Sequence, residues 1–376
     1  MIASSSPFGS DLSISLPADT ASFSAVGMFP VGRADTHHML VLADDVTADE
    51  VESLALSLNE HAGWVGASRL QLQPGIELQG PWEVDAELRT LLKLPSWAAQ
   101  VMLLECPRQR TGPLPAALVG TDPVADVFPR GVPGGTELVA LERLRSMARR
   151  LAGGLRLIGD APDGGDPRPV LVVPDPERSA TLTLFSPVWI APDGVVSLVS
   201  SQVPGARLHM EPAPAPGATG LAAIPVPELE RLAALLGDDV LDEAWRAADQ
   251  RRVEAGELEA RAHATGDTIE EMRDGYAVVA EIDRAQPDWG GIEVRVLGAE
   301  EVPLSVRGES WAQEGVVVYA VVWMPQESSC AYAEYPAPRV CWERSAARAL
   351  IERVAGALQQ AAGGVIVDED GFLVAL

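Results

Sequence analysis

The chain has 376 residues, of which 47% are hydrophobic and 22% charged, so it can fold around more than one hydrophobic core. Its formal net charge is −26 at pH 7. An acidic surface repels phosphate backbones and anionic lipid head groups, which argues against direct binding to nucleic acid or to a membrane surface. A protein partner, especially a basic one, is compatible with this charge.

The N-terminal half alternates strand and helix patterns after a polar, Ser-rich arm over residues 1–20. Thr47 and Glu50 have the Thr-x-x-Glu spacing of a capping box at the start of one helix. A second amphipathic pattern ends at Gly153-Gly154, which are typical of a helix C-terminus. In chain order we predict strands over 22–32, 37–44, 68–74 and 97–106, and helices over 44–61, 85–94 and 137–154.

The C-terminal half has a more interrupted pattern. Residues 210–227 are rich in proline, which is excluded from helix interiors and central strands, so they predict a linker. Pro192-Asp193-Gly194 predicts a hairpin turn between two strands, and Asp370-Gly371 predicts another in a terminal hairpin. In chain order we predict strands over 170–174, 180–190, 194–203, 275–282, 291–297 and 315–324, a charged helical stretch over 228–264, and a helix over 344–364.

These elements predict an α+β protein with two lobes of mixed or antiparallel sheet and packed helices. The predicted organisation is an arm (1–20), an N-terminal lobe (21–160), a β-rich bridge with a Pro-rich linker (161–225) and a C-terminal lobe (226–376). The helix and strand over 141–157 align without gaps to those over 351–367, including the Glu-Arg pair and the Gly-Gly stop. A degenerate internal duplication and a shared Ala/Leu/Gly bias both explain this match.

Several kinds of site are not supported by the sequence. Lys93 is the only lysine and no glycine precedes it closely, so a phosphate-binding GxxxxGK[ST] loop is absent. No GxSxG or GxGxxG motif occurs either, which argues against a nucleophile elbow or a dinucleotide site. We therefore predict no cofactor. The first residues lack the cationic and apolar regions of a signal peptide and no long apolar run follows, so we expect a cytoplasmic protein.

The cysteines and histidines do not form a recognisable ligand pattern. Cys106, Cys330 and Cys341 are widely spaced, which favours free thiols over disulfides or a zinc site. Cys330 lies in a loop-like context and is the best of three weak nucleophile candidates. His37 and His38 open a strand, so alternation should place one ring in the core and one towards solvent. The carboxylates over 44–52 surround a helix start and are explained by capping. We predict no metal site.

Aromatic residues near the C-terminus provide the one positive indication of function. Tyr332, Tyr335 and Trp342 follow an apolar strand on a segment that contains Pro336 and Pro338. Proline keeps this segment from being a central strand, so we expect it at an edge or on the surface. Rigid aromatic side chains often anchor protein interfaces. These three are the candidate binding residues. Four tryptophans in or beside apolar strands are instead most simply core or lobe-interface residues: Trp189, Trp311, Trp323 and, as the alternative, Trp342.

Two function classes stay open at this point. The preferred one is a non-catalytic binding or interaction protein that acts through its C-terminal lobe. The alternative is a hydrolase whose active-site residues assemble at the lobe junction. A flat exposed aromatic patch would favour the first, and a deep junction cleft with convergent His, Asp or Cys would favour the second. The sequence indicates neither a catalytic residue nor an oligomeric state.

Overall fold

A computed structural model describes residues 27–160, 168–209, 246, 275–282, 289–299, 302–313, 315–326 and 335–376. These residues form two seven-stranded sheets with antiparallel pairing, together with seven α-helices. The predicted α+β class with two lobes is confirmed. Among the described residues, no helix is long and apolar enough to cross a membrane.

The first sheet is built from strands that lie between residues 39 and 172. They are β1 (Met39–Leu42), β2 (Gly63–Gly66), β3 (Arg69–Gln73), β4 (Ile76–Glu83), β5 (Gln100–Glu105), β6 (Gly154–Gly159) and β7 (Arg168–Val172). The accompanying helices are α1 (Ala48–Leu58), α2 (Ala86–Leu92), α3 (Pro123–Asp126) and α4 (Gly135–Arg150). The strand order is β2-β3-β4-β5-β1-β6-β7, so the first strand of the chain lies inside the sheet.

Side-chain alternation along β1 explains how this sheet is covered on both faces. Leu40 and Leu42 belong to the core beneath α1 and α4, whereas Met39 and Val41 pack in a second cluster with Leu92 of α2. All four strand residues are at most 1% exposed. A strand buried on both faces must be apolar at every position, which is what its sequence shows.

The second sheet follows the same plan. Its strands are β8 (Leu182–Ser186), β9 (Arg207–Leu208), β10 (Gly275–Glu281), β11 (Gly291–Ala299), β12 (Val316–Met324), β13 (Val365–Asp368) and β14 (Leu373–Val374), and its helices are α5 (Pro192–Gln202), α6 (Leu304–Arg307) and α7 (Pro338–Ala362). The strand order is β14-β13-β8-β12-β11-β10-β9. Strand β12 has core on both sides, with Tyr319 and Val321 beneath α5 and α7, and Val318 with Val306 of α6 opposite.

The two lobes therefore repeat one topology. In each lobe the first strand pairs on one side with the fifth strand and on the other with the sixth. A helix follows the first strand in both lobes, a short helix separates the fourth and fifth strands, and a long helix precedes the sixth. The aligned segments 141–157 and 351–367 are this long helix and the strand after it. The sequence match thus coincides with a structural repeat, which favours duplication over compositional bias.

The two Gly-Gly pairs of the repeat, Gly153-Gly154 and Gly363-Gly364, lie between the end of the long helix and the sixth strand of each lobe. A Cβ on Gly153 would lie 2.5 Å from the Val41 carbonyl oxygen, and one on Gly364 would lie 2.0 Å from the Phe185 carbonyl oxygen. Gly363 and Gly364 also have positive φ angles of 69° and 95°. Both lobes thus use glycine to bring the chain close against the first strand of the lobe, β1 or β8.

The structure corrects several predicted elements. Residues 194–203 were expected to form a strand after a turn at Pro192, but Pro192 begins helix α5. Proline suits the first helical position because its missing N–H has no intrahelical partner there. Val195, Val199 and Val203 are buried, whereas Ser197 and Ser201 between them are exposed, which is a helical rather than a strand pattern. The described part of the strand expected over 22–32 contains a 3-10 turn, Val31–Arg33.

The region predicted as a β-rich bridge is divided between the two sheets, since β7 is an edge strand of the first and β8 lies inside the second. The predicted linker and charged helical stretch over 210–264 lie almost wholly outside the described residues. The capping box is confirmed: Thr47 Oγ1 accepts a bond from the Glu50 N–H at 3.3 Å, and Glu50 accepts one from the Thr47 N–H at 2.8 Å.

The terminal hairpin predicted around Gly371 is confirmed and also links the lobes. Its strands belong to the second sheet, yet Phe372 is 1% exposed within the core of the first lobe. The Asp370 carboxylate accepts bonds from Ser146 Oγ at 2.7 Å and from the Arg149 guanidinium at 2.5 Å. The hairpin therefore joins the lobes in two ways. Phe372 packs into the core of the first lobe, and Asp370 forms an ion pair with Arg149.

Candidate functional site

The candidate aromatic residues lie where the chain enters α7. Tyr335 is 67% exposed and Trp342 is 73% exposed, and both are placed by the start of this helix. Tyr332 lies outside the described residues. We call the surface formed by Tyr335 and Trp342 the helix-entry surface. Its two side chains are on the protein surface, as expected from the prolines that surround them.

The local structure differs from the prediction in one respect. Helix α7 begins at Pro338, six residues before the predicted start at Arg344. Pro338 occupies the first helical turn, where a missing N–H costs no hydrogen bond. Trp342 is consequently held on a helix rather than on an extended segment. The error arose because proline was taken only as a breaker.

The periodicity of α7 explains why Trp342 faces solvent. Arg344, Ala347, Leu350, Ile351 and Val354 form the buried face of the helix. The opposite face carries exposed residues at helical spacing: Trp342, Ser345, Ala349 and Arg353. Burying an indole stabilises a protein, and this one is left exposed among small and charged neighbours. Packing of the second core therefore does not account for Trp342.

The start of α7 is fixed to the loop after β7. Arg344 is 1% exposed and its guanidinium donates to the Asp175 carboxylate at 2.8 Å. The Tyr335 hydroxyl lies 3.5 Å from the Val173 carbonyl oxygen, and Val173 is itself 37% exposed. The helix-entry surface thus adjoins the edge of the first sheet and is held by contacts from both lobes.

The other aromatic residues are mostly structural. Trp323 is 1% exposed in the second core, as predicted. The Tyr319 hydroxyl donates to the Val188 carbonyl at 2.7 Å and accepts from the Ile190 N–H at 2.8 Å. These bonds fix the loop before α5, and burial raises the pKa of Tyr319. Trp189 was expected in the core but is 45% exposed, because this loop carries it to the surface.

A buried polar network in the first lobe centres on Glu137, which is fully buried. Its carboxylate accepts bonds from the Gln109 N–H at 2.8 Å and the Arg110 guanidinium at 2.7 Å, and lies 3.4 Å from His38 Nε2. Burial alone would raise the pKa of Glu137, but the bonds from His38 and Gln109 and the Arg110 charge lower it overall. The network satisfies the carboxylate where α4 begins against the first sheet.

His38 is not available as a general base in this arrangement. Its Nδ1 accepts a bond from the Ile158 N–H at 3.0 Å, so its proton is on Nε2, facing Glu137. Both ring nitrogens are therefore used within the protein. Burial lowers the pKa of His38, which keeps the ring neutral. His38 is 4% exposed whereas His37 is partly exposed, so the predicted division between core and solvent is confirmed.

Cys106 lies near this network but is a poor nucleophile. Burial, followed by the negative charge of Glu137, raises the pKa of Cys106 to about 11. A thiol at this pKa is almost entirely protonated at neutral pH, and the thiolate is the reactive form. Cys341 is also a free thiol, and Cys330 lies outside the described residues.

All three cysteines are expected to be reduced in the native protein, because they are few, odd in number and widely spaced. Non-reduced protein, denatured and treated with an alkylating reagent, should gain three adducts by mass spectrometry. A gain of only one adduct would show that two cysteines are joined.

The lobe junction contains a small cavity of about 160 Å³. Its charged lining is balanced, with three arginines (Arg149, Arg150, Arg348) and three carboxylates (Glu352, Asp368, Asp370). Arg149 pairs with Asp370 at 2.5 Å, and Arg348 pairs with Glu352 at 3.0 Å. Neither a histidine nor a cysteine is among its described lining residues. The charged side chains of the junction are therefore arranged largely as ion pairs.

The described residues also hold no group of three His, Cys, Asp or Glu side chains that could bind a metal ion. Comparisons with protein-family models, with curated proteins and with solved structures find no match to this chain. The surfaces and side chains of this chain are therefore the only basis for proposing its function.

Proposed function

We propose that this chain is a non-catalytic binding protein that contacts another protein through its C-terminal lobe, at the helix-entry surface. The observation that carries the proposal is the exposure of Trp342, 73% of whose surface is open to solvent on a well-formed helix. Trp and Tyr are the side chains that most often dominate interface energetics, since they bury a large area and lose few rotamers. Tyr332 belongs to the same proposal from its sequence position.

Rigid placement supports this role further. Trp342 is fixed by α7, and the helix is tied to the loop after β7 by the buried Arg344–Asp175 pair. A surface that is ordered before binding loses less conformational entropy when a partner binds. Tyr335 and Trp342 lie near each other in sequence at the fixed start of one helix. In this they differ from the exposed apolar residues that occur singly on most proteins.

The hydrolase alternative has less support in the described part of the chain. Its site was expected at the lobe junction, where the charged side chains are arginines and carboxylates that form ion pairs. Elsewhere, His38 has both nitrogens engaged and Cys106 has a raised pKa. A hydrolytic site needs a nucleophile beside a free base, and these residues do not supply that pair.

The proposal is tested by the double substitution Tyr335→Ala with Trp342→Ala. Because both side chains are exposed, the free energy of unfolding should change by less than about 1 kcal/mol. The same variant, immobilised and exposed to native lysate, should lose a protein that the unchanged chain captures. Quantitative mass spectrometry of the eluates measures this loss.

Leu56→Ala is the matched control, since Leu56 is 44% exposed on α1 of the other lobe. It should keep the captured protein. The proposal is wrong if the double variant captures the same proteins as the control, or if it is destabilised by several kcal/mol, since the rings would then belong to the core.

A further inference from the structure

A groove lies on the face of the first sheet that is opposite α1 and α4. It is formed by the segment 27–31, the end of β4 and helix α2, and has a volume of about 680 Å³. Apolar side chains make up most of its lining: Met28, Phe29, Val31, Trp82, Leu88 and Leu91. Its size is within the range of pockets that hold organic ligands or side chains of a partner.

The floor of the groove is part of the hydrophobic core, whereas its mouth is open. Phe29 is 9% exposed and packs edge-to-face on Trp82 with 5.5 Å between ring centroids. Met28 and Leu91 at the mouth are 95% and 51% exposed. On α2, Leu92 points into the core, so Leu91 is directed away from it. Apolar residues that remain exposed around a concavity are typical of a binding surface.

The charged residues described around the groove are all acidic. Its described lining contains Glu83, Asp85 and Glu87 and no Lys, Arg or His. Asp85 caps α2 by accepting a bond from the Leu88 N–H at 2.7 Å, so its position is explained by the helix. Glu83 and Glu87 are exposed, so a cation on a partner can approach their carboxylates. An apolar groove with an acidic rim complements an apolar segment with basic flanks.

We propose that this groove binds a basic amphipathic segment of another protein. Apolar side chains of the segment would fill the space between Met28 and Leu91, and its Lys or Arg residues would face Glu83 and Glu87. A second copy of this chain is the less favourable occupant, since each copy carries a net charge of −26. The groove is on the first lobe and is separate from the helix-entry surface, so this inference does not depend on the proposed function.

The test uses a fluorescein-labelled peptide of about 14 residues, made only of Leu, Ala and Arg, with Leu at helical i, i+3, i+4, i+7 spacing. Fluorescence anisotropy measures its binding to the full chain. Met28→Ser with Leu91→Ser should weaken binding about tenfold by removing apolar contacts. Glu83→Gln with Glu87→Gln should weaken it about fivefold at low salt, because two favourable charge contacts are lost.

Three controls make the result specific. Glu142→Gln with Glu177→Gln changes the net charge equally, away from the groove, and should leave binding unchanged, as should Trp342→Ala. A peptide with Glu in place of Arg should not bind. If the Met28/Leu91 variant fails to fold by circular dichroism, the exposed Glu83/Glu87 pair decides the question.

Equal losses in both charge-neutralised pairs would overturn the proposal, because the peptide would then adsorb to the acidic chain generally. Binding unaffected by the groove substitutions, or absent for every peptide, would overturn it too. A dimer of the unchanged chain that the Met28/Leu91 variant loses in sedimentation would assign the groove to self-association instead.

Discussion

Replacing Phe372 by alanine is expected to lower the free energy of unfolding by about 3–5 kcal/mol. Phe372 is 1% exposed and lies in the core of the first lobe, although it belongs to the hairpin of the second sheet. Truncation removes apolar contacts that join the lobes and leaves a cavity that neither lobe can easily close. Denaturant unfolding followed by circular dichroism measures the loss.

Leu373→Ala is the matched control, because Leu373 is the next residue on the hairpin and is 49% exposed. Its effect should stay below about 1 kcal/mol. Similar small effects for both variants would contradict the insertion of Phe372 between the lobes. A large effect for Phe372 alone would make the hairpin the main structural link across the junction.

Replacing Glu137 by glutamine is the second change with a large expected effect, a destabilisation of about 3 kcal/mol or more. The fully buried carboxylate accepts bonds from Gln109 and Arg110 and faces the Nε2 proton of His38. A glutamine supplies one acceptor oxygen and places an NH₂ group against these donors, so buried donors lose their partners. Glu142→Gln, on the exposed side of the same helix, should be nearly neutral.

His38 and Glu137 together make the free energy of unfolding depend on pH. The folded protein lowers the pKa of His38, so the unfolded chain binds the extra proton more readily. The contribution of the neutral, buried His38 to the free energy of unfolding is fully present above about pH 6.5. It is lost as the pH falls below that value. The lowered pKa of Glu137 acts in the same direction below about pH 4.5. Denaturant midpoints measured from pH 8 to pH 5 should fall, and at least as much in Glu137→Gln, because the Glu137 carboxylate raises the pKa of His38 and its removal lowers that pKa further. A midpoint that rises on acidification would contradict this assignment.

Local patterns in the sequence predicted much of the fold. The Thr47–Glu50 capping box, the turn at Gly371 and the apolar strand around Tyr319 all appear in the structure, because each depends on residues close in sequence. The match between segments 141–157 and 351–367 was compatible with a repeat and with a shared composition. It could not give the strand order, since β1 and β8 are placed by pairing with strands distant in sequence.

Two proline contexts explain the main errors. Pro192 and Pro338 were read as turn or breaker signals, yet both begin helices, where proline is well tolerated. The apolar groove was missed because it joins residues 27–31 to α2 across more than fifty residues. The Glu137 network was missed for a similar reason, as His38 and Glu137 are separated by 99 residues. The spacing of residues within one segment does not reveal contacts between residues that are far apart in the sequence.

We expect the chain to contact a protein partner at the helix-entry surface, and site-specific photocrosslinking measures this contact. A benzophenone-bearing residue is placed at position 342 in one variant and at position 56 in another, both exposed in the structure. Irradiation in native lysate should give a discrete adduct with one partner from position 342 and none from position 56. No adduct from either position, or the same adducts from both, would contradict this expectation.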